Sequence, residues 1–155
     1  MLKHFTGTHD HRMDDKGRVS LPTEFRRVID AVGSSGALYL VPQLDDPRAL
    51  VFFTTDGYGK LIDRHNARDY ASPRDQQLME LKLVTRASQI QVDDAGRIVL
   101  SRPVRELIQL EKEVRFVGLA SSFEIWRPDA RTAFEAELMA AEADEPVRID
   151  RRGLH

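Results

Sequence analysis

The chain has 155 residues, 41% hydrophobic and 31% charged, a globular composition that excludes a disordered chain. The absence of Cys excludes disulfides and thiolate chemistry. No apolar run approaches the ~20 residues that span a bilayer, and Met1 to Asp10 lacks the apolar segment of a signal peptide, so a cytoplasmic protein is expected. The net charge of −2 divides unevenly. Residues 1–127 hold 19 Lys and Arg against 18 Asp and Glu, and residues 128–155 hold 4 against 7. Any polyanion must therefore meet a local basic face, multiplied by self-association, and not bulk charge.

In chain order, Thr6 to Met13 reads as a strand and Asp14-Asp15-Lys16-Gly17 as a turn. Aspartate starts turns by accepting nearby backbone N–H groups, and glycine supplies a positive φ. Arg18 to Leu21 alternates polar and apolar, the period of a half-buried strand. Pro22 can open a helix whose apolar face is Phe25, Val28, Ile29 and Val32. Gly33-Ser34-Ser35-Gly36 stops it. Strands follow at Leu38 to Val41 and Ala49 to Phe53. Thr54 or Thr55 then caps a helix to about Ala67, with Tyr58, Leu61, Ile62 and His65 on its apolar face. Arg64 to Ala71 is a polar candidate linker.

Ser72-Pro73-Arg74-Asp75 has a capping-box pattern with Pro at the first helical position. The helix it opens is apolar around much of its circumference at Leu78, Met79, Leu81, Leu83 and Val84, which predicts burial or a subunit interface. Gln89 to Val92 is a strand, Asp93 to Gly96 a turn, and Arg97 to Leu100 a strand. Pro103 to Leu110 is a short helix, Val114 to Ala120 and Phe123 to Trp126 are strands, and Pro128 opens a helix to about Ala143.

One phrase is thus written twice. Asp14-Asp15-Lys16-Gly17-Arg18-Val19-Ser20-Leu21 is answered by Asp93-Asp94-Ala95-Gly96-Arg97-Ile98-Val99-Leu100, and Phe25, Val28 and Ile29 by Val104, Leu107 and Ile108. A motif with a matching apolar frame marks a supersecondary unit used twice. One such half cannot bury a full core alone, so the two are expected to share a barrel-like core about a pseudo-two-fold axis. The predicted division is a first repeat over 5–63, a linker and helix over 64–87, a second repeat over 88–143, and a charged tail over 144–155.

With Leu21-Pro22, Arg105, Val117-Gly118, Phe123-Glu124 and Trp126, the two Asp-x-x-x-Arg phrases resemble the MraZ family of bacterial transcriptional regulators. The likeness covers roughly Phe5 to Met139. It implies a mainly β, α+β fold of two tandem AbrB-like (SpoVT-like) β-hairpin repeats. It also implies ring-shaped homo-oligomers on the nucleoid that bind short direct repeats in double-stranded DNA upstream of the division and cell-wall gene cluster. Two departures are visible. Leu100-Ser101-Arg102-Pro103 replaces Leu21-Pro22, which predicts a different strand-to-helix joint. Ala95 replaces Lys16, which predicts unequal DNA affinity of the two halves.

Asp14 with Arg18, and Asp93 with Arg97, form either intramolecular pairs, worth ~0–1 kcal/mol when exposed, or parts of a DNA-reading turn. Arginine's fork of donors fits phosphates and guanine edges. The DNA-contact candidates are Lys16, Arg18, Arg97, Arg12 and His11, with Asp14, Asp15, Gly17, Asp93, Asp94 and Gly96 shaping the turns. His9 and His11 share a strand face, but no third metal ligand is near, so no metal or cofactor is expected. Arg26, Arg27 and Arg105 read as solvated helix faces or subunit contacts, and Trp126 and Phe123 as core. No nucleophile or phosphate-cradling loop points to an enzyme. The alternative to a DNA-binding regulator is a non-catalytic small β-barrel that docks partner proteins.

Overall fold

The computed structural model describes residues 4–33 and 36–149, so Ser34 and Ser35 of the predicted helix stop and the end of the charged tail lie outside the described residues. The first half runs β1 (Thr8–Arg12), β2 (Arg18–Ser20), α1 (Thr23–Ala31), β3 (Ala37–Pro42), β4 (Ala49–Thr54) and α2 (Thr55–Ala67). Then α3 (Pro73–Glu80) runs into a π-helical turn, Leu81–Thr85. The second half runs β5 (Ser88–Gln91), β6 (Arg97–Val99), α4 (Arg102–Leu107), β7 (Glu113–Gly118), β8 (Ser122–Trp126) and α5 (Pro128–Asp144).

Six strands pair antiparallel in the order β1-β7-β8-β4-β3-β5. Exchanging β1–β4 for β5–β8 turns that order into its own reverse, the signature of a pseudo-two-fold axis between β8 and β4. Among the described residues, the remaining strands, β2 and β6, pair with each other as a two-stranded ribbon. The α+β expectation holds. The sheet stays open, with β1 and β5 at its edges, and the ribbon does not close it into a barrel.

Strand alternation assigns the two faces. Leu38, Leu40, Leu50, Phe52, Phe116, Phe123 and Ile125 point inward to one core, which the ribbon (Val19, Ile98) and α1 (Phe25, Val28, Ile29) cover. Leu21 and Leu100, the last residues of the repeated phrase, are buried there too. Ala49, Val117 and Trp126 point outward to a second cluster beneath Phe134 of α5. Arg48 and Arg131 both lie over the Trp126 and Phe134 rings. Arg48 also pairs with Asp46 and Glu137, which ties α5 to the β3–β4 loop.

Helix starts follow the predicted chemistry. The Thr54 hydroxyl accepts from the Gly57 N–H, and Ser72 from the Asp75 N–H with Pro at the first helical position. The connection is shorter than the polar stretch suggested, because α2 continues through Ala67. The joints after Leu21 and Leu100 have equal length: Pro22 caps α1 and Ser101 caps α4. The predicted difference is confined to where proline sits.

Two apolar stretches are less buried than a core would require. Leu78 is 42% and Val84 40% exposed in the single chain, so neither is core, while Leu83 is buried and Met79 and Leu81 are half-buried. In α4, Leu107 is exposed although its counterpart Val28 is buried, because α4 ends a turn earlier than α1.

Candidate nucleic-acid interface

Each repeated phrase folds into the same hydrogen-bonded knot. Asp14 Oδ1 accepts from the Lys16 N–H at 3.0 Å and the Arg18 N–H at 2.8 Å, while Arg18 Nε donates to Asp14 Oδ2 at 2.6 Å. The main chain closes through Gly17 N to Asp14 O at 3.1 Å and Asp14 N to Arg18 O at 2.9 Å. The second copy repeats this. Asp93 Oδ1 accepts from Ala95 and Arg97 N–H groups, both at 2.9 Å, and Arg97 Nε donates to Oδ2 at 3.1 Å. Hydrogen bonds from the Arg18 and Arg97 backbone N–H groups lead the causes that hold the Asp14 and Asp93 carboxyls below the usual carboxylate range. Both aspartates therefore stay ionised at neutral pH and fix their arginines by Nε, so four other N–H groups of each guanidinium extend beyond the pair.

The ribbon brings the two arginines onto one surface. Arg18 lies opposite Val99, Val19 opposite Ile98, and Ser20 opposite Arg97. Residues opposite one another in an antiparallel pair point to the same side. Val19 and Ile98 point into the core, so Arg18, Ser20, Arg97 and Val99 make the outer face. Arg18 and Arg97 are diagonal neighbours, one toward each end of the ribbon. The end of each strand is sealed by the other half's turn: Leu100 N donates to Gly17 O at 2.8 Å, and Leu21 N to Gly96 O at 2.9 Å.

Sequence reasoning missed the supports of these turns. Arg26 of α1 reaches the second half's turn, where Nη2 donates to Asp94 O at 2.8 Å and the guanidinium covers Gly96. Arg105 of α4 covers Gly17 of the first half's turn in the equivalent way. Neither is a plain solvated helix face. The Arg105 Nε is buried with no hydrogen-bond partner among the described residues, and such an unpaired donor costs about 1–3 kcal/mol. The two supports are thus alike in position and unequal in bonding. A signal was available: Arg26 and Arg105 occupy matching places in the two copies, directly after Phe25 and Val104.

The remaining candidates scatter. Lys16, Asp15 and Asp94 are exposed in the turns. Arg12 points to the outer face of the sheet, away from the ribbon, with Glu113 3.8 Å off. His11 points inward, where its Nδ1 meets Ser20 O at 2.7 Å and its ring packs edge-on against Phe116. That contact ties β1 to β2. His9 meets Thr6 O and the Phe25 ring. No group of three or more His, Cys, Asp or Glu among the described residues is placed to hold a metal.

Fold and site define an α+β protein of two matched hairpin halves that presents a two-stranded ribbon with an aspartate-anchored arginine toward each end. The family model described as "MraZ protein, putative antitoxin-like" matches residues 83–152. Among similar proteins, the transcriptional regulator MraZ of Ruegeria pomeroyi is 37% identical over 153 residues, covering 92% of this chain and 87% of that protein. The protein of the same name from Thermomicrobium roseum is 32% identical over 138 residues, covering 89% and 91%. That of Parvibaculum lavamentivorans is 32% identical over 136 residues, covering 88% and 83%. The chain belongs to the MraZ family of transcriptional regulators.

Proposed function

We propose that this protein binds duplex DNA in a sequence-specific manner, through the outer face of the β2–β6 ribbon, and regulates transcription without catalysis. The observation that carries the reading is the shared face of Arg18 and Arg97. A two-stranded ribbon fits the major groove, where arginine reads guanine edges and phosphates alike. Lys16 adds a cation beside Arg18. The paired aspartates orient the arginines and also cancel much of their charge, so one ribbon holds DNA weakly. Repetition of the ribbon in a ring of subunits on short direct repeats raises the binding by effective concentration. The two repeats over 5–63 and 88–143 act as tandem AbrB-like units, the site lies in the cytoplasm on the nucleoid, and the target is the promoter region of the division and cell-wall gene cluster.

Random duplex DNA enriched on the purified protein tests this. The expected product is a short motif repeated at fixed spacing. Its affinity should fall with salt at a log–log slope of about −0.9 for each phosphate neutralised. No enriched motif, together with a flat salt response, counts against the reading.

A further inference from the structure

On the sheet face opposite the ribbon lies a cavity of about 320 Å³, independent of the DNA reading. About half of its wall is apolar, supplied in part by Phe53 of β4, Leu61 of α2 and Met79 and Leu83 of the α3 segment. Two buried polar side chains of β8 also line it. Ser122 is 8% and Glu124 6% exposed, and their alternate positions put both on this face. Glu124 Oε1 accepts from Trp126 Nε1 at 2.9 Å and, at the long distance of 3.4 Å, from Arg131 Nη1. Its other oxygen and the Ser122 hydroxyl have no hydrogen-bond partner among the described residues. Neither oxygen is sealed off as a buried unmatched atom, so both open onto the cavity, where a donor on an occupant can meet them together.

Asp45 lines the same space and adds negative charge. Arg64 and Arg68 stand exposed at the mouth, where they disfavour a second cationic group on the occupant. The wall at His65 is fixed: this buried ring lies 2.5 Å from the Tyr70 hydroxyl on one side and bonds the Glu80 carboxylate on the other. The site is therefore preformed, of a size that small ligands occupy.

We propose that this cavity binds a small monoamine with an apolar body, its ammonium donating to Glu124 and Ser122. Apolar walls take the body. The carboxylate prefers a charged N–H donor, because charge-assisted hydrogen bonds are about twice as strong as neutral ones.

The test uses the full chain with ¹³C-methyl methionine. Met79 lines the cavity, Met13 lies in the core beneath the ribbon face, and Met139 sits on α5. Phenethylamine should shift the Met79 methyl saturably and leave Met13 and Met139 in place. The neutral isostere 2-phenylethanol, whose single uncharged O–H replaces three charge-assisted N–H donors, should bind at least about 10-fold more weakly. Spermidine should bind more weakly too. Glu124→Gln should remove most of the preference for amine over alcohol. Should that variant fail to fold through its Trp126 contact, the amine–alcohol comparison on the native chain decides alone. Equal binding of amine and alcohol, or no Met79 shift, overturns the proposal. A Met79 shift that follows protein concentration instead marks a contact between copies and overturns it as well.

Discussion

Gly17→Ala is expected to lower the unfolding free energy by about 3 kcal/mol, enough to threaten a domain of ordinary stability. Gly17 sits at φ +84°, and a Cβ there would stand 2.1 Å from the Leu100 carbonyl oxygen. That obstacle is backbone, and it belongs to the strand end whose N–H closes the ribbon on Gly17. The ribbon can make room only by losing this bond and lifting Val19 and Ile98 from the core. Gly33→Ala provides the control. Its φ is +66° but nothing among the described residues lies within 4 Å, so only the left-handed strain remains, about 1 kcal/mol. Gly96→Ala should fall between, because its nearest neighbours are Arg26 side-chain atoms that can swing away, losing the bond to Asp94 O. Urea denaturation of the three variants checks the order. Equal midpoints for Gly17→Ala and Gly33→Ala would refute the ribbon argument.

Arg18→Ala is expected to weaken binding to a selected DNA by about 10–100-fold, the range of one lost arginine–base contact. Arg97→Ala should cost less, because Ala95 leaves its turn without the neighbouring cation that Lys16 gives Arg18. Both variants should fold. The Asp–Arg pairs are exposed and worth ~0–1 kcal/mol, and each aspartate keeps the backbone N–H groups that shape its turn. Fluorescence anisotropy against salt, with circular-dichroism melts as the fold check, measures this. Unchanged affinity of Arg18→Ala with an intact melt removes Arg18 from the interface.

The architecture was legible because local chemistry and the repeat agreed. Turn aspartates and glycines, the Ser72 and Thr54 caps and the alternation through Arg18 to Leu21 each fix their element within a few residues. The duplicated phrase also announces the symmetry seen in the strand order. What the sequence could not reveal lies in tertiary choices. Apolar residues all around the Leu78 to Val84 stretch say nothing about which side meets the sheet; Leu83 is buried and Met79 faces the cavity with it, while Leu78 and Val84 face out. His11 and Arg12 are neighbours in sequence yet point to opposite faces of β1. Arg26 and Arg105 look like surface charge until the ribbon brings each over the other half's glycine. The site was half legible. Asp14, Arg18, Asp93 and Arg97 stood out by repetition, but their common face depends on β2 pairing with β6, a contact between residues far apart in the chain.

The most direct measurement places a photo-crosslinking residue at position 99. Val99 is 53% exposed on the ribbon's outer face, opposite Arg18. Irradiation with duplex DNA selected on the native protein should join position 99 to DNA, and the same residue at position 139 on α5 should give no adduct. DNA captured at position 139 and not at 99 would contradict a ribbon-borne interface.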